Sequence, residues 1–192
     1  MANGFIASQG DRTVIGAVSE GSPADRVIGG IFTSPAGGAS AFVVNELGVY
    51  CDNSGGGAGT ATFRMAIYSL TGGGDLDAPV DYTTSDKDAP SSAGWVEWTG
   101  LSITIDGSTD YGIVIWCDDA NFDFEGCLSP GASNGQFSGI EAGQWTWPTI
   151  SGSVSYRTRE YSIYAVYEAA AGGGLSIPVA MHHYTKNIGN NN

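Results

Sequence analysis

Carboxylates gather in two short stretches of the chain: Asp118, Asp119, Asp123 and Glu125 in one, Asp75 and Asp77 in the other. Oxygen-rich loops of this kind suit Ca²⁺, which takes roughly six to eight oxygen ligands. Asp118, Asp119 and Asp123 are therefore the candidate metal ligands. Their spacing does not match an EF-hand loop, and Asp also ends strands and closes Asx turns without any metal. The expectation is a protein with no required cofactor, in which Ca²⁺ is the ion these loops would accept.

The histidines are His182 and His183, adjacent near the C-terminus. Neighbouring side chains diverge on both strand and helix, so the two are poor co-ligands. No P-loop or HExxH motif is present. A Ser–His–acid triad would have to recruit its histidine from a segment that follows three glycines, a poor place to preorganise a base. A non-enzymatic protein is expected.

Tryptophans are the sharpest feature of the composition. Trp95 and Trp98 flank one apolar segment, Trp116 lies in another, and "QWTWP" holds Trp145 and Trp147. Two residues apart on a strand, Trp145 and Trp147 would share a face and form a stacking platform for sugar rings. Inter-sheet packing competes for the same side chains.

The elements that must position these groups read as strands. "LSITI" puts Leu101, Ile103 and Ile105 on one face, and "TATFRMAIYSL" does the same with Phe63, Met65 and Ile67. In "AFVVNELGVYC" the apolar parity shifts from Phe42 and Val44 to Leu47, Val49 and Cys51, which predicts a bulge near Asn45–Glu46. "YGIVIWCD" is apolar on both faces, as a central strand should be. "YSIYAVYE" aligns Tyr161, Ile163, Ala165 and Tyr167, and weaker strands are expected at "TVIGAV" and "RVIGGIFT". Turn-forming stretches such as "SPAGGAS", "TGGGDLDAP" and "DGSTD" separate them. About eight to ten short strands with no room for helical crossovers imply an all-β, antiparallel two-sheet β-sandwich of jelly-roll type.

Bulk properties narrow the partners. The chain has 192 residues, enough for one substantial core. Its 42% hydrophobic residues exclude a wholly disordered chain, while 30 glycines and only 14% charged residues fit a turn-rich sheet protein. A net charge of −13 repels phosphate backbones and anionic membranes, so neither nucleic acid nor membrane is expected as partner. No apolar run approaches the ~18 residues of a membrane span. The opening residues show no basic region followed by an apolar core, so no secretory signal is expected. Cys51, Cys117 and Cys127 are an odd set without CxxC spacing, which suggests neither a disulfide scaffold nor a zinc site.

The order of segments resembles a known family. A strand pair "VVNELGVYCD" and "ATFRMAIYSL" is followed by "GGGDLDAP", then "GWVEWTGLSITIDGSTDYGIVIWCDD", "GQWTW" and a closing "REYSIYAVYE". This is similar to the jelly-roll β-sandwich modules of prokaryotic surface proteins and phage structural proteins. Their Trp-containing strand, apolar strand and "G-T-x-Y" turn are approximated here by Gly107, Ser108, Thr109, Asp110 and Tyr111, with one extra residue. The likeness covers about residues 27–168. It implies adhesion, carbohydrate-binding or virion roles and specifies no catalytic residue.

Three regions are therefore expected: an N-terminal arm or first strand at 1–26, the sandwich at 27–168, and a Gly-rich hinge with a docking tail at 169–192. In the tail, Ile177, Met181 and Tyr184 stand at helical spacing, whereas Ile177, Val179 and Met181 alternate as in an added strand. Either element would have to dock on its own sandwich, a sister subunit or a larger particle to be stable in water. The functional expectation is a virion structural protein, a capsid decoration or head or tail fibre component. It would be assembled in the host cytoplasm as a homo-oligomer, with a trimer as candidate, and would contact the major capsid protein. The alternative is an extracellular carbohydrate-binding or adhesive module that takes a glycan on its tryptophans.

Overall fold

The computed structural model describes residues 4–15, 18–21, 26–52, 62–88, 90, 92–117, 123–128, 135–141, 147–150, 154–157 and 159–171. Two sheets contain all the strands of the described residues. The first, sheet A, runs in the order β1 (Gly4–Ile6), β14 (Ile163–Ala169), β4 (Phe42–Asp52), β10 (Asp123–Leu128) and β13 (Arg159–Tyr161). In addition β2 (Val18–Gly21) pairs with β10, and β8 (Gly94–Ile105) pairs with β4. Sheet B runs β12 (Val154–Arg157), β11 (Gly135–Glu141), β3 (Arg26–Thr33), β9 (Asp110–Cys117), β5 (Thr62–Leu70) and β6 (Leu76–Tyr82), with β7 (Lys87–Asp88) also on β5. The chain is an all-β sandwich dominated by antiparallel pairs. One pair departs from the antiparallel expectation: β1 lies parallel to β14, with Gly4 opposite Tyr164.

The period-two faces meet as their sequences dictate. Val44, Leu47, Val49, Ile103, Ile105, Ile163 and Ala165 of sheet A interlock with Ile28, Phe63, Met65, Ile67, Ile113 and Ile115 of sheet B in one core. Cys51 and Cys117 are fully buried in it. The parity shift in β4 is a register break between Val44 and Glu46, present against both β8 and β14, and it returns Leu47 to the interior. β9 sits between β3 and β5, and its residues from Tyr111 to Cys117 are buried on both faces.

Part of each outer face of the sandwich is covered by the chain itself. Over sheet B, Val27, Ala66, Tyr68, Leu76, Val114 and Trp116 form a second apolar cluster with Ile150, against which Trp147 and Val154 pack. Over sheet A passes the N-terminal segment, with a single 3-10 turn at Gln9–Asp11 capped by Ser8. The strand expected at "TVIGAV" starts only at Val18. Residues 12–15 cross the sheet instead, because Arg12 is held by Glu97 and Ile15 N–H donates to Ser162 Oγ at 2.8 Å.

One end of the sandwich is tied by a loop-to-turn lock. Gly107 lies so close to Gly37 that a Cβ would fall 2.3 Å from its Cα. Gly107 N–H donates to Gly38 O, Ser108 N–H to Pro35 O, and Ser34 Oγ to Asp106 O. The Tyr111 hydroxyl accepts from Asp106 N–H at 3.0 Å. The turn "DGSTD" is thus built as its sequence predicts, with Ser108 at a positive φ of 53°.

Candidate interaction site

Among the expected site residues, the described structure places Trp147 and the backbone of Asp123. Trp145, Asp118, Asp119, both histidines and the tail residues Ile177, Val179, Met181 and Tyr184 lie outside the described residues. Asp123 opens β10 opposite Asp52 and Gly21. Among the described residues no group of three or more histidine, cysteine or acidic side chains comes together to hold a metal ion. Asp75 carries a different load: its carboxylate accepts from the Tyr156 hydroxyl. That bond holds the Tyr156 phenol above its usual range.

Trp147 lies outside any strand, in the segment that covers sheet B. Pro148 follows it and has no N–H to give to a ladder. Its carbonyl is instead bound by the Tyr68 hydroxyl at 2.9 Å, and Ile150 N–H donates to Asp77 O at 2.6 Å. Half-buried, Trp147 meets Tyr68 edge-on at 6.2 Å and Tyr82 at 6.0 Å with the rings tilted by 30°. Tyr82 is 40% exposed, Val80 41% and Tyr156 62%. Trp147 and Tyr82 therefore present an aromatic pair on the outer side of sheet B. The partner of Trp147 among the described residues is thus a tyrosine, which sequence spacing did not indicate.

The other face carries a polar cluster that the sequence reading missed. On β4, Glu46 and Gly48 point outward; on β8, Trp95 and Glu97 flank them; on β14, Tyr164 lies opposite Gly48. Tyr164 is fully buried, and its hydroxyl oxygen sits 2.6 Å from Glu46 Oε1 and 2.9 Å from Glu97 Oε1. A phenol has one proton and donates to one of these acceptors at a time. Gln9 Nε2 donates to Glu46 at 2.5 Å, Arg12 binds Glu97, and Arg12 Nη1 lies 3.4 Å from the phenol. The guanidinium also stacks over Trp95, 5.2 Å from the ring centroid. Burial first, and the bond to Glu46 second, hold the Tyr164 phenol well above the usual tyrosine range.

This cluster is arranged to fasten rather than to react. Gln9 and Arg12 of the crossing segment donate to Glu46 and Glu97, which pins residues 9–12 to β4 and β8, while Tyr164 donates from within the sheet. Two sequence signals pointed to it: a glutamate inside an apolar strand, and a glycine in mid-strand, the mark of a close approach by another group. No family model matches the chain, and no curated protein or solved structure matches it.

Proposed function

We propose that this chain is a non-enzymatic virion structural protein, a jelly-roll module that decorates a capsid or forms part of a head or tail fibre. It acts through subunit–subunit contacts and contacts with other virion proteins. The observation that carries this reading is where the described residues spend their polar groups. Arg12, Glu46, Glu97 and Tyr164 clamp the N-terminal segment, Arg64 binds Asp86, and Ser34 and Asp106 lock one end. Among the described residues this leaves the open edge of β8 and the exposed side chains of Tyr82 and Val80 for contacts with other proteins.

Antibodies raised against the purified chain test the proposal on virus particles isolated from the source material. Labelling of intact particles is the expected result. Label confined to cells and absent from particles would overturn it.

A second reading, a carbohydrate-binding or adhesive module, is favoured by the exposed Trp147–Tyr82 surface alone. A glycan array separates the two. Signal lost in both Trp147→Ala and Tyr82→Ala supports the module, and absence of signal removes it.

A further inference from the structure

Strand β8 has β4 on one side and, among the described residues, no strand on the other. Its 12 residues, GWVEWTGLSITI, are bulged at Gly100, where φ is 72°, and contain neither proline nor lysine. Its one charge, Glu97, is already bound by Arg12. Natural sheets normally guard such edges, since a row of unpaired N–H and C=O groups templates further pairing. The edge of sheet B shows that guarding: β6 contains Pro79 and receives Ile150 N–H on Asp77 O.

Beside the Ile105 end of β8, next to the loop-to-turn lock, the two sheets leave a gap. A cavity of about 400 Å³ lies there, lined by Leu70, Val80, Thr104, Asp106 and Tyr111 and reaching Ser40. The chain leaves the described fold at the same place. Ala169 pairs with Phe42, Phe42 pairs with Ile105, and Ala170 N–H donates to Ala41 O at 2.9 Å. β14 and β8 therefore end side by side with only β4 between them.

We propose that the open edge of β8 is the docking site for the chain's own C-terminal segment, Ile177 to Tyr184, added antiparallel to β8. The reach is sufficient. From β14 past β4 and β8 to a new strand is about 14 Å at ~4.8 Å per strand, and the six residues from Ala171 to Ser176 extend about 20 Å. The direction follows too, because a chain leaving at the Ile105 end and turning back runs antiparallel to β8. Ile177, Val179 and Met181 fall on one face of such a strand. On the inward side they extend the row of Leu101, Ile103 and Ile105 along the edge of the core. Pro178 fixes the register: lacking an N–H, it belongs on the outer side of an edge strand, which aims the amides of Ile177, Val179 and Met181 at β8. The inference rests on the fold and is independent of the virion reading.

Residue-resolved amide exchange on the full chain tests it. The expected pattern is alternate: the amides of residues 177, 179 and 181 exchange at least tenfold more slowly than those of 180 and 182. Uniform fast exchange across 177–184 would overturn the proposal. A second measurement compares the chain with its Val179→Asp, Met181→Asp double variant. Amides of β8 should exchange at least tenfold faster in the variant while those of β9 and the molecular mass stay unchanged. Unchanged β8 exchange overturns the site, and a mass that falls in the variant overturns docking within one chain in favour of exchange between copies.

Discussion

The Tyr164 ring occupies the space that a side chain at position 48 would need: a Cβ there would lie 2.4 Å from Tyr164 Cζ. The ring cannot yield, because its hydroxyl is fixed between Glu46 and Glu97 and its other face meets Trp95 at a 5.0 Å centroid distance. Gly48→Ala should therefore destabilise the protein by about 1–3 kcal/mol, the usual range for overpacking. Gly72→Ala, with nothing within 4 Å of its Cβ, is the control and should change stability little. Thermal or denaturant unfolding of the two variants gives the comparison.

Removing the hydroxyl alone should also be costly. Tyr164→Phe keeps the ring and leaves Glu46 and Glu97 without their shared donor, an expected loss of about 1–3 kcal/mol. Arg12→Ala should couple to it, since Arg12 touches both the phenol and Glu97. A double-mutant cycle on unfolding free energy measures that coupling. Strict additivity of the two changes would show that the cluster does not act as a unit.

Alkaline pH should loosen the fold. Burial raises the phenols of Tyr68 and Tyr164 above their ordinary value. A neutral form favoured in the folded state stabilises fully below the unfolded value of about 10. As the pH rises beyond that value the unfolded phenols ionise first, and this stabilisation falls toward the folded values. Urea midpoints should therefore decline above about pH 10. Tyr68→Phe should flatten the decline, because the phenol that resists ionisation is gone.

Trp147 and Tyr82 should separate by stability. Trp147 seals the outer cluster of sheet B, so Trp147→Ala should cost about 2 kcal/mol from lost apolar burial. Tyr82, 40% exposed, should be near neutral when replaced by Ala. Unfolding curves for the two variants test the difference, and equal losses would mean that Tyr82 packs as tightly as Trp147.

Much of the sandwich was legible because alternation reports burial directly. Phe63, Met65 and Ile67 face the core as their spacing says, and the shift from Val44 to Leu47 marked the bulge because no regular strand could bury both. The partition into two sheets was not legible, since which distant strands pair leaves no local trace. Arg12 and Glu97 illustrate the difficulty. They stand 85 residues apart, and a polar pair at that separation produces no periodicity. The "TVIGAV" segment failed for a related reason: strand-like residues were drawn across the sheet by a hydroxyl on Ser162 and a carboxylate on Glu97. Trp147 was misplaced on a strand because the two-residue spacing from Trp145 was weighed without the proline that follows.

The parallel pairing of Gly4–Ile6 with Ile163–Ala169 sets an order of events during synthesis. A nascent chain emerging from the ribosome presents β1 and one side of β4 long before their common neighbour β14 exists. Sheet A can therefore complete itself only after β14 has been synthesised, and its contact order is correspondingly high. Such topologies fold slowly and leave strand edges exposed while they wait. The sides of β1 and β4 that β14 will cover therefore stay open until β14 arrives.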